Sequence, residues 1–261
     1  MPIAVLAGLL LAVVPAPASH YADVRGLHMY YVTRGHGPTL VLLHGGAGNG
    51  DQFEHQVAAF EKTHRLIVPD MCAQGRTSDR PGPLSYHAMA EDVIALMDRL
   101  GARRFDIMGW SDGGNTGLDL AIHHPQRVRR LVTFGANFAP DGLAPTDVSW
   151  NDTATWRAFG DGMRQGWTRL APDSTDYETA MAKILHMWRT EPRFTRQELG
   201  RIRARVLVCA GEHDLIRRDH TDALARAIPG AQEWIVPGAS HGAMLEKPEL
   251  VNPRVLSFLA R

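Results

Sequence analysis

Short apolar runs alternate along most of the chain with segments whose apolar residues have helical spacing. The runs 39–43 and 130–134 are almost continuously apolar, which is typical of strands buried on both faces of a parallel sheet. Helical periodicity is found at 51–62, at 85–100 and behind Gly114. Strands alternating with helices predict a mainly parallel α/β sheet with helices on both faces. The eight predicted strands are 20–26, 27–35, 39–43, 65–69, 105–109, 130–134, 206–210 and 233–236.

The alternation stops between the sixth and seventh predicted strands. Residues 139–204 contain no buried strand pattern and several helix-like pieces. We therefore predict a helical cap at 139–204 over the strand ends of a core formed by 19–138 and 205–261. The alternative for its aromatic residues is that they pack only within the cap. Four of the six tryptophans fall in this segment: Trp150, Trp156, Trp167 and Trp188.

The first 18 residues differ from the rest of the chain. Residues 3–14 are an unbroken apolar run, which is shorter than the roughly 20 residues that a membrane-spanning helix needs. Small residues at 16 and 18 fit a signal-peptidase site, although no Lys or Arg precedes Arg25. We predict a signal peptide at 1–18, export, a mature chain that begins near Ser19, and no stable membrane insertion of that chain. The alternative is an apolar N-terminal strand or helix in a cytoplasmic protein.

Composition narrows the classes of function. The 261 residues are enough for one large α/β domain, and 28 basic residues balance 28 acidic ones. This balance argues against nucleic acid or an anionic membrane as a partner. Cys72 and Cys209 cannot form a disulfide framework and lack metal-ligand spacing, so we predict no metal and no cofactor.

Ser111 stands between a predicted strand and a predicted helix, within Gly109-Trp110-Ser111-Asp112-Gly113. Gly-x-Ser-x-Gly at such a junction is the pattern of a nucleophile elbow. A side chain at 109 or 113 would collide with the backbone where the strand passes into the helix. Ser111 is therefore the candidate nucleophile.

A serine hydroxyl needs a base, and the base needs an acceptor that orients it. His241 lies between Ser240 and Gly242 in a loop that follows the last predicted strand. Asp214 follows the seventh strand. Along the chain the candidates therefore occur in the order nucleophile, acid, base, which is one of the orders known for catalytic triads. Glu212 and Asp219 are the alternatives to Asp214. Glu212 is close to the strand end, and Asp219 is placed to cap a helix.

The glycine-rich stretch 44–50 follows the buried strand 39–43. It could cradle a phosphate, but the Gly-Lys-Ser/Thr ending of a phosphate-binding loop is absent. It suits an oxyanion hole better, because small residues let a backbone N–H approach a substrate. We predict that the N–H groups of Gly46 and Asp112 form this hole, with Ala47 as the alternative to Gly46.

These motifs together resemble the α/β-hydrolase fold family, in its capped esterase and lactonase type. The resemblance covers residues 20–261 and implies an eight-stranded sheet with a cap between strands 6 and 7. It implies a cofactor-independent serine hydrolase acting on a small ester or lactone. One loop departs from the family pattern, because Cys72, Ala73 and Thr77 replace its Arg, Gly and Ser. The matching motifs are His44-Gly45-Gly46, Gly109–Gly114, Gly211-Glu212-His213-Asp214 and Gly238-Ala239-Ser240-His241-Gly242.

Gly-Trp-Ser-Asp-Gly-Gly is also similar to the biphenyl-hydrolase-like valacyclovirase group. That resemblance implies that Asp112 holds the amino group of an α-amino-acid ester. Asp112 and Trp110, the two neighbours of Ser111, are the predicted substrate-binding residues. The alternative is that Asp112 interacts only with the helix N-terminus. Two other functions stay open, namely perhydrolase or haloperoxidase-like use of the same triad and a ligand-binding receptor on this fold.

Overall fold

The computed structural model describes residues 18–143, 164–171 and 177–260. The predicted signal peptide lies outside these ranges except for Ala18, so cleavage there stays a prediction. Cleavage before Ser19 would remove only one residue of the first strand, which begins at Ala18. Trp150 and Trp156 also lie outside the described residues. Within the described ranges, no helix combines the length and the apolar composition that crossing a bilayer requires.

Eight strands form one sheet in the order β1-β2-β4-β3-β5-β6-β7-β8. The first two form a hairpin, β2 also pairs antiparallel with β4, and all other pairs are parallel. This confirms the predicted mainly parallel sheet of eight strands. The strands are β1 (Ala18–Val24), β2 (Leu27–Arg34), β3 (Thr39–Leu43), β4 (Arg65–Pro69), β5 (Phe105–Trp110), β6 (Val128–Phe134), β7 (Arg205–His213) and β8 (Gln232–Ser240).

Helices cover both faces of the sheet. On β3, Val41 and Leu43 pack into one apolar cluster, and Leu40 and Leu42 pack into the other. The first cluster includes residues of α2, α3 and α7, and the second includes residues of α1 and α9. The helices are α1 (Glu54–Phe60), α2 (Tyr86–Arg99), α3 (Asp112–His123), α4 (164–170), α5 (Tyr177–Thr190), α6 (Arg196–Leu199), α7 (Arg218–Ala227), α8 (Ala243–Glu246) and α9 (Pro248–Ala260), with short 3-10 helices at Gly50–Phe53 and Pro140–Gly142.

The last two strands are longer than the sequence predicts. β7 continues to His213 and β8 to Ser240, beyond the predicted strand ends at 210 and 236. The extension is possible because Gly211 has no side chain. A Cβ there would lie 2.1 Å from the carbonyl oxygen of Ser240. The pairing shifts register between Gly211 and His213, and Asp214 is the first residue after β7.

Gly211→Ala tests this close approach. The added methyl group would meet backbone atoms, so β7 and β8 would have to separate. We expect a loss of about 3 kcal/mol of folding free energy, at the upper end of overpacking costs. Thermal unfolding should show Tm lowered by roughly 5–10 °C. Gly166→Ala is the control, because nothing lies within 4 Å of a Cβ at that helical position, and it should leave Tm equal or slightly higher. An unchanged Tm in Gly211→Ala would contradict the packing described.

The loop 70–78, which contains the departures from the family pattern, is largely buried. Residues 70–75 are all buried, among them Cys72 and Ala73 at the family's Arg and Gly positions. Ala73 adopts φ +58°, the left-handed conformation that glycine favours. Asp70 organises the loop by accepting hydrogen bonds from the N–H groups of Gly50 at 2.7 Å and Arg76 at 2.8 Å. Burial raises the pKa of the Cys72 thiol to about 12.

Candidate active site

The carboxyl ends of the parallel strands carry the candidate reactive residues. Ser111 follows β5, Asp214 follows β7 and His241 follows β8. These strands run in the same direction, so their ends meet at one edge of the sheet. The described structure brings Ser111 and His241 to the wall of one cavity of about 230 Å³.

Ser111 lies at a strained turn. Its φ is +52° and its ψ is −116°, a conformation that side chains rarely adopt. Its N–H donates to the carbonyl oxygen of Phe134 at 2.7 Å, which fixes the turn against β6. A Cβ on Gly109 would lie 2.2 Å from the Gly113 oxygen, and one on Gly113 would lie 1.9 Å from the Leu43 oxygen. The steric role predicted for these two glycines is confirmed.

Asp214 and His241 form a hydrogen-bonded pair. The Nδ1 atom of His241 lies 2.7 Å from Oδ1 of Asp214, and their side chains are 19% and 2% exposed. The carboxylate also accepts the N–H groups of Gly211 at 3.1 Å and Ile216 at 3.0 Å. Burial alone would raise the pKa of Asp214, but the contact with His241 and these N–H groups lower it below its ordinary value. Asp214 is thus held as an anion beside the imidazole.

The two alternatives to Asp214 lie elsewhere. Glu212 accepts the N–H of Gly238 at 2.7 Å on an exposed surface. Asp219 lies in the first turn of α7 and pairs with Arg217 at 3.0 Å. Of the three acids considered from the sequence, Asp214 is therefore the one in contact with His241.

Two residues constrain the imidazole from other sides. The indole Nε1 of Trp110 donates to the carbonyl oxygen of His241 at 2.8 Å, so Trp110 holds the loop that carries the base. Gly135, after β6, has φ +59°. A Cβ on Gly135 would lie 2.6 Å from both Cε1 and Nδ1 of His241, so the ring occupies the space beside this glycine.

His44 organises the glycine-rich loop. Its Nε2 accepts the N–H of Met71 at 2.9 Å, so the ring proton is on Nδ1, which donates to the Gly45 oxygen at 2.7 Å. Burial lowers the pKa of His44, so the ring is neutral. The Gly45 oxygen also accepts from the N–H of Gly48 at 3.1 Å. Because a trans peptide directs its N–H opposite to its C=O, the N–H of Gly46 points away from His44.

Asp112 lines the cavity and is only 5% exposed. Its Oδ1 accepts the hydroxyl of Tyr86 at 2.8 Å, and its two carboxylate oxygens share the indole N–H of Trp188 at 2.9 and 2.8 Å. Burial raises the pKa of Asp112, and the hydrogen bonds from Trp188 and Tyr86 oppose that rise. The carboxylate therefore already has two protein donors before any substrate contact.

Sequence reasoning missed Tyr86 as a partner of Asp112 and did not separate Trp188 from the other tryptophans. Tyr86 begins α2 behind the N-cap Ser85, and Trp188 lies near the end of α5. The helix α5 is further tied to the core by Glu191, which accepts the N–H of Tyr86 at 3.0 Å. The only sequence signal for Trp188 was its place in the aromatic-rich segment.

The cavity is small and its walls are largely apolar. Such a cavity accommodates a small molecule or the reactive end of a longer one. The side chains that line it include the polar Ser111, Asp112, Tyr86, Asn137 and His241 and the apolar Trp110, Leu143, Trp188, Leu215 and Ile216.

Comparison with known proteins agrees with this architecture. A family model described as alpha/beta hydrolase fold matches residues 38–167. The carboxylesterase YbfK of Bacillus subtilis is 30% identical over 241 residues, covering 85% of this chain and 80% of that protein. The serine hydrolase BPHL of Mus musculus is 27% identical over 255 residues, covering 94% of this chain and 87% of that protein.

Solved structures show the same fold. Est816, described as an N-acyl homoserine lactone degrading enzyme, has a TM-score of 0.79 and 25% identity, covering 92% of this chain and all of that chain (100%). The enol-lactonase of Burkholderia xenovorans LB400 has a TM-score of 0.73 and 25% identity, covering 93% and 100% of the two chains. The sheet order, the elbow and these relatives lead to one conclusion: the chain belongs to the α/β-hydrolase fold family and is a hydrolase of that fold.

Proposed function

We propose that this hydrolase cleaves a small carboxylic ester or lactone through an acyl-enzyme on Ser111. The observation that carries the proposal is the pair of Asp214 and His241, 2.7 Å apart, with His241 lining the same cavity as Ser111 at its strained turn. A nucleophile, a base and an acid that orients the base are the three components that serine hydrolysis needs.

The hydrogen-bond pattern gives each residue a role. Asp214 accepts from Nδ1 of His241, which leaves Nε2 without the ring proton and able to take the proton of the Ser111 hydroxyl. The serine oxygen then attacks the substrate carbonyl, and His241 returns the proton to the leaving alkoxide. Water deacylates the serine by the same steps in reverse order. The anionic Asp214 stabilises the imidazolium that forms in both halves of the reaction.

The N–H groups of Gly46 and Asp112 are the proposed oxyanion donors. His44 supports this role for Gly46, because it fixes the Gly45 carbonyl on the opposite side of the peptide. Asp112 is the first residue of α3, so its N–H has no acceptor within the helix. One such donor commonly contributes about 3–4 kcal/mol to the transition state.

Relatives support the ester and lactone classes. One relative is named a carboxylesterase, and two structural neighbours are described as lactone-degrading or lactonase enzymes. The cavity of about 230 Å³ favours small acyl groups, because ordinary ligand pockets begin at about 300 Å³.

A substrate panel tests the proposal. The panel consists of p-nitrophenyl esters of increasing acyl length, α-amino-acid esters and lactones, assayed with hydrogen peroxide as an alternative acceptor in a parallel series. We expect steady turnover of short esters or lactones by water. A single burst of product without turnover would instead favour a ligand-binding receptor on this fold. Faster acyl transfer to peroxide than to water would favour a perhydrolase.

Within this proposal, α-amino-acid esters are one candidate substrate class, because Asp112 is an acidic residue that lines the cavity. Asp112→Asn keeps an oxygen for Tyr86 and Trp188 and removes the charge. A carboxylate–ammonium hydrogen bond contributes about 1.5–3 kcal/mol. We therefore expect kcat/KM for an amino-acid ester to fall roughly 10–100-fold, and that for a neutral ester of equal size to change little.

Tyr86→Phe is the matched control for this prediction, because it removes one donor to Asp112 and leaves the charge in place. It should affect both substrates alike. An equal loss on both esters in Asp112→Asn would show that Asp112 serves only to join Trp188 and Tyr86 to the elbow.

A further inference from the structure

Three side chains with metal-ligand chemistry meet between the helices α2 and α3. His87 lies on α2, and Asp119 and His123 lie one turn apart on α3. The Nδ1 atoms of both histidines lie 3.0 Å from Oδ1 of Asp119. The two imidazole rings are 4.7 Å apart between centroids. The proposed hydrolysis uses none of these residues.

The positions of the three ligand atoms suit a small divalent ion. All three lie within 4.8 Å of one another. In a tetrahedral zinc site with bonds of 2.0–2.1 Å, neighbouring ligand atoms are about 3.3 Å apart. Shifts of about an ångström in exposed side chains would therefore bring the three atoms to ligand positions. Two imidazoles and a carboxylate are also a donor set that zinc and similar transition metals bind.

The protonation chemistry is compatible with binding. Both Nδ1 atoms now face the same carboxylate oxygen, so each carries a proton that it donates to Asp119. Metal binding moves or releases these protons, because a ligating nitrogen must present its lone pair. The side chains of His87 and His123 are 56% and 41% exposed. Solvent can therefore reach the ring nitrogens, and a metal ion can reach the three ligands from solution.

We propose that His87, Asp119 and His123 form a binding site for a divalent transition metal of the zinc class, with solvent in the fourth position. The sequence analysis predicted no metal from the spacing of the cysteines, and it missed this group because His87 is distant from the other two ligands along the chain. A bound ion would link α2 to α3 and stabilise their packing. Asp119 is seven residues beyond Asp112, roughly 10 Å along the axis of α3, so the ion would not contact the bond that is cleaved.

The test uses the full chain without an affinity tag, treated with a chelator and then titrated with ZnCl₂ by calorimetry and with CoCl₂ by visible absorption. We expect one equivalent to bind saturably, with a Co²⁺ spectrum of a tetrahedral site. His87→Ala, Asp119→Asn and His123→Ala should each weaken Zn²⁺ binding at least about 10-fold. Excess Zn²⁺ should raise Tm of the parent chain by about 5 °C and raise that of the three variants by clearly less at the same Zn²⁺ concentration.

His28→Ala is the control. His28 is an exposed histidine paired with Asp23 at 2.9 Å, and the described residues supply that pair with no third ligand. The His28→Ala variant should bind Zn²⁺ with the same affinity as the parent chain. Binding that is absent in the parent chain, or retained in all three ligand variants, or lost equally in His28→Ala, would overturn the proposal. Without metal, Tm of the ligand variants should be lower by at most a few degrees, because each loses a hydrogen bond at Asp119. Ester turnover should match the parent in every variant, which shows that the fold is intact and separates this test from that of the hydrolase activity.

Discussion

Ser111→Ala should abolish ester turnover, with kcat lower by about 10⁴–10⁶-fold and the fold unchanged. The reason is that Ser111 is the only residue that the proposed mechanism modifies covalently. The fold should persist because the strained turn is permitted by Gly109 and Gly113, which the substitution leaves in place. Initial rates with a p-nitrophenyl ester measure the effect, and circular dichroism and Tm measure the fold. Mass spectrometry of the parent chain after reaction with a fluorophosphonate should find the label on Ser111.

Ser240→Ala is the control for this substitution. The Ser240 hydroxyl is exposed, neighbours His241 in sequence and hydrogen-bonds to Glu246. It should keep turnover within a few-fold of the parent chain. Turnover near the parent rate in Ser111→Ala would remove the proposed mechanism, since no other residue in it supplies the nucleophile.

Asp214→Asn should lower kcat by roughly 10⁴-fold. An asparagine amide in this position donates to Nδ1, so the proton of the neutral ring moves to Nε2 and His241 can no longer accept the serine proton. The shape of the side chain is kept, but the amide nitrogen cannot accept the N–H of Ile216 as Oδ1 does, so Tm should fall by a few degrees without loss of the fold. Rates measured under single-turnover and steady-state conditions would show the loss in both acylation and deacylation.

Glu212→Gln and Asp219→Asn are the matched controls, because each neutralises a neighbouring acid that does not contact His241. Both should retain activity within a few-fold. A mild effect of Asp214→Asn together with a large effect of either control would transfer the orienting role to that acid.

The strands and their mainly parallel direction could be predicted, because apolar runs alternate with helical segments along the chain. The run 39–43 is continuously apolar because β3 is covered on both faces, and Leu40 to Leu43 are fully buried. The elbow could be predicted because its glycines meet steric demands that act over a few residues. These features are local, so a local pattern is sufficient to find them.

Contacts between distant segments could not be predicted in this way. The indole of Trp188 reaches Asp112 across 76 positions, and the hydroxyl of Tyr86 reaches it across 26. Each bond depends on how a helix is placed over the sheet, which periodicity does not specify. His87 meets Asp119 for the same reason, through the packing of α2 on α3.

The C-terminal ends of β7 and β8 could not be predicted from the sequence pattern either. Residues 211–213 and 238–240 contain glycine and polar side chains, which are typical of loops. They are nevertheless strand, because Gly211 lets β7 and β8 approach to a distance that no side chain would permit. Backbone pairing there outweighs the local preference for a turn.

The close contact between Gly46 and Asp112 makes these two positions an epistatic pair. A Cβ on residue 46 would lie 2.3 Å from Oδ2 of Asp112 and 2.6 Å from the ring of Trp188. Residue 46 therefore has to stay glycine for as long as residue 112 is an acid held by Trp188. A lineage or a directed-evolution library that reshapes this pocket must shorten residue 112 first and enlarge residue 46 second, since the opposite order passes through an intermediate with a displaced carboxylate.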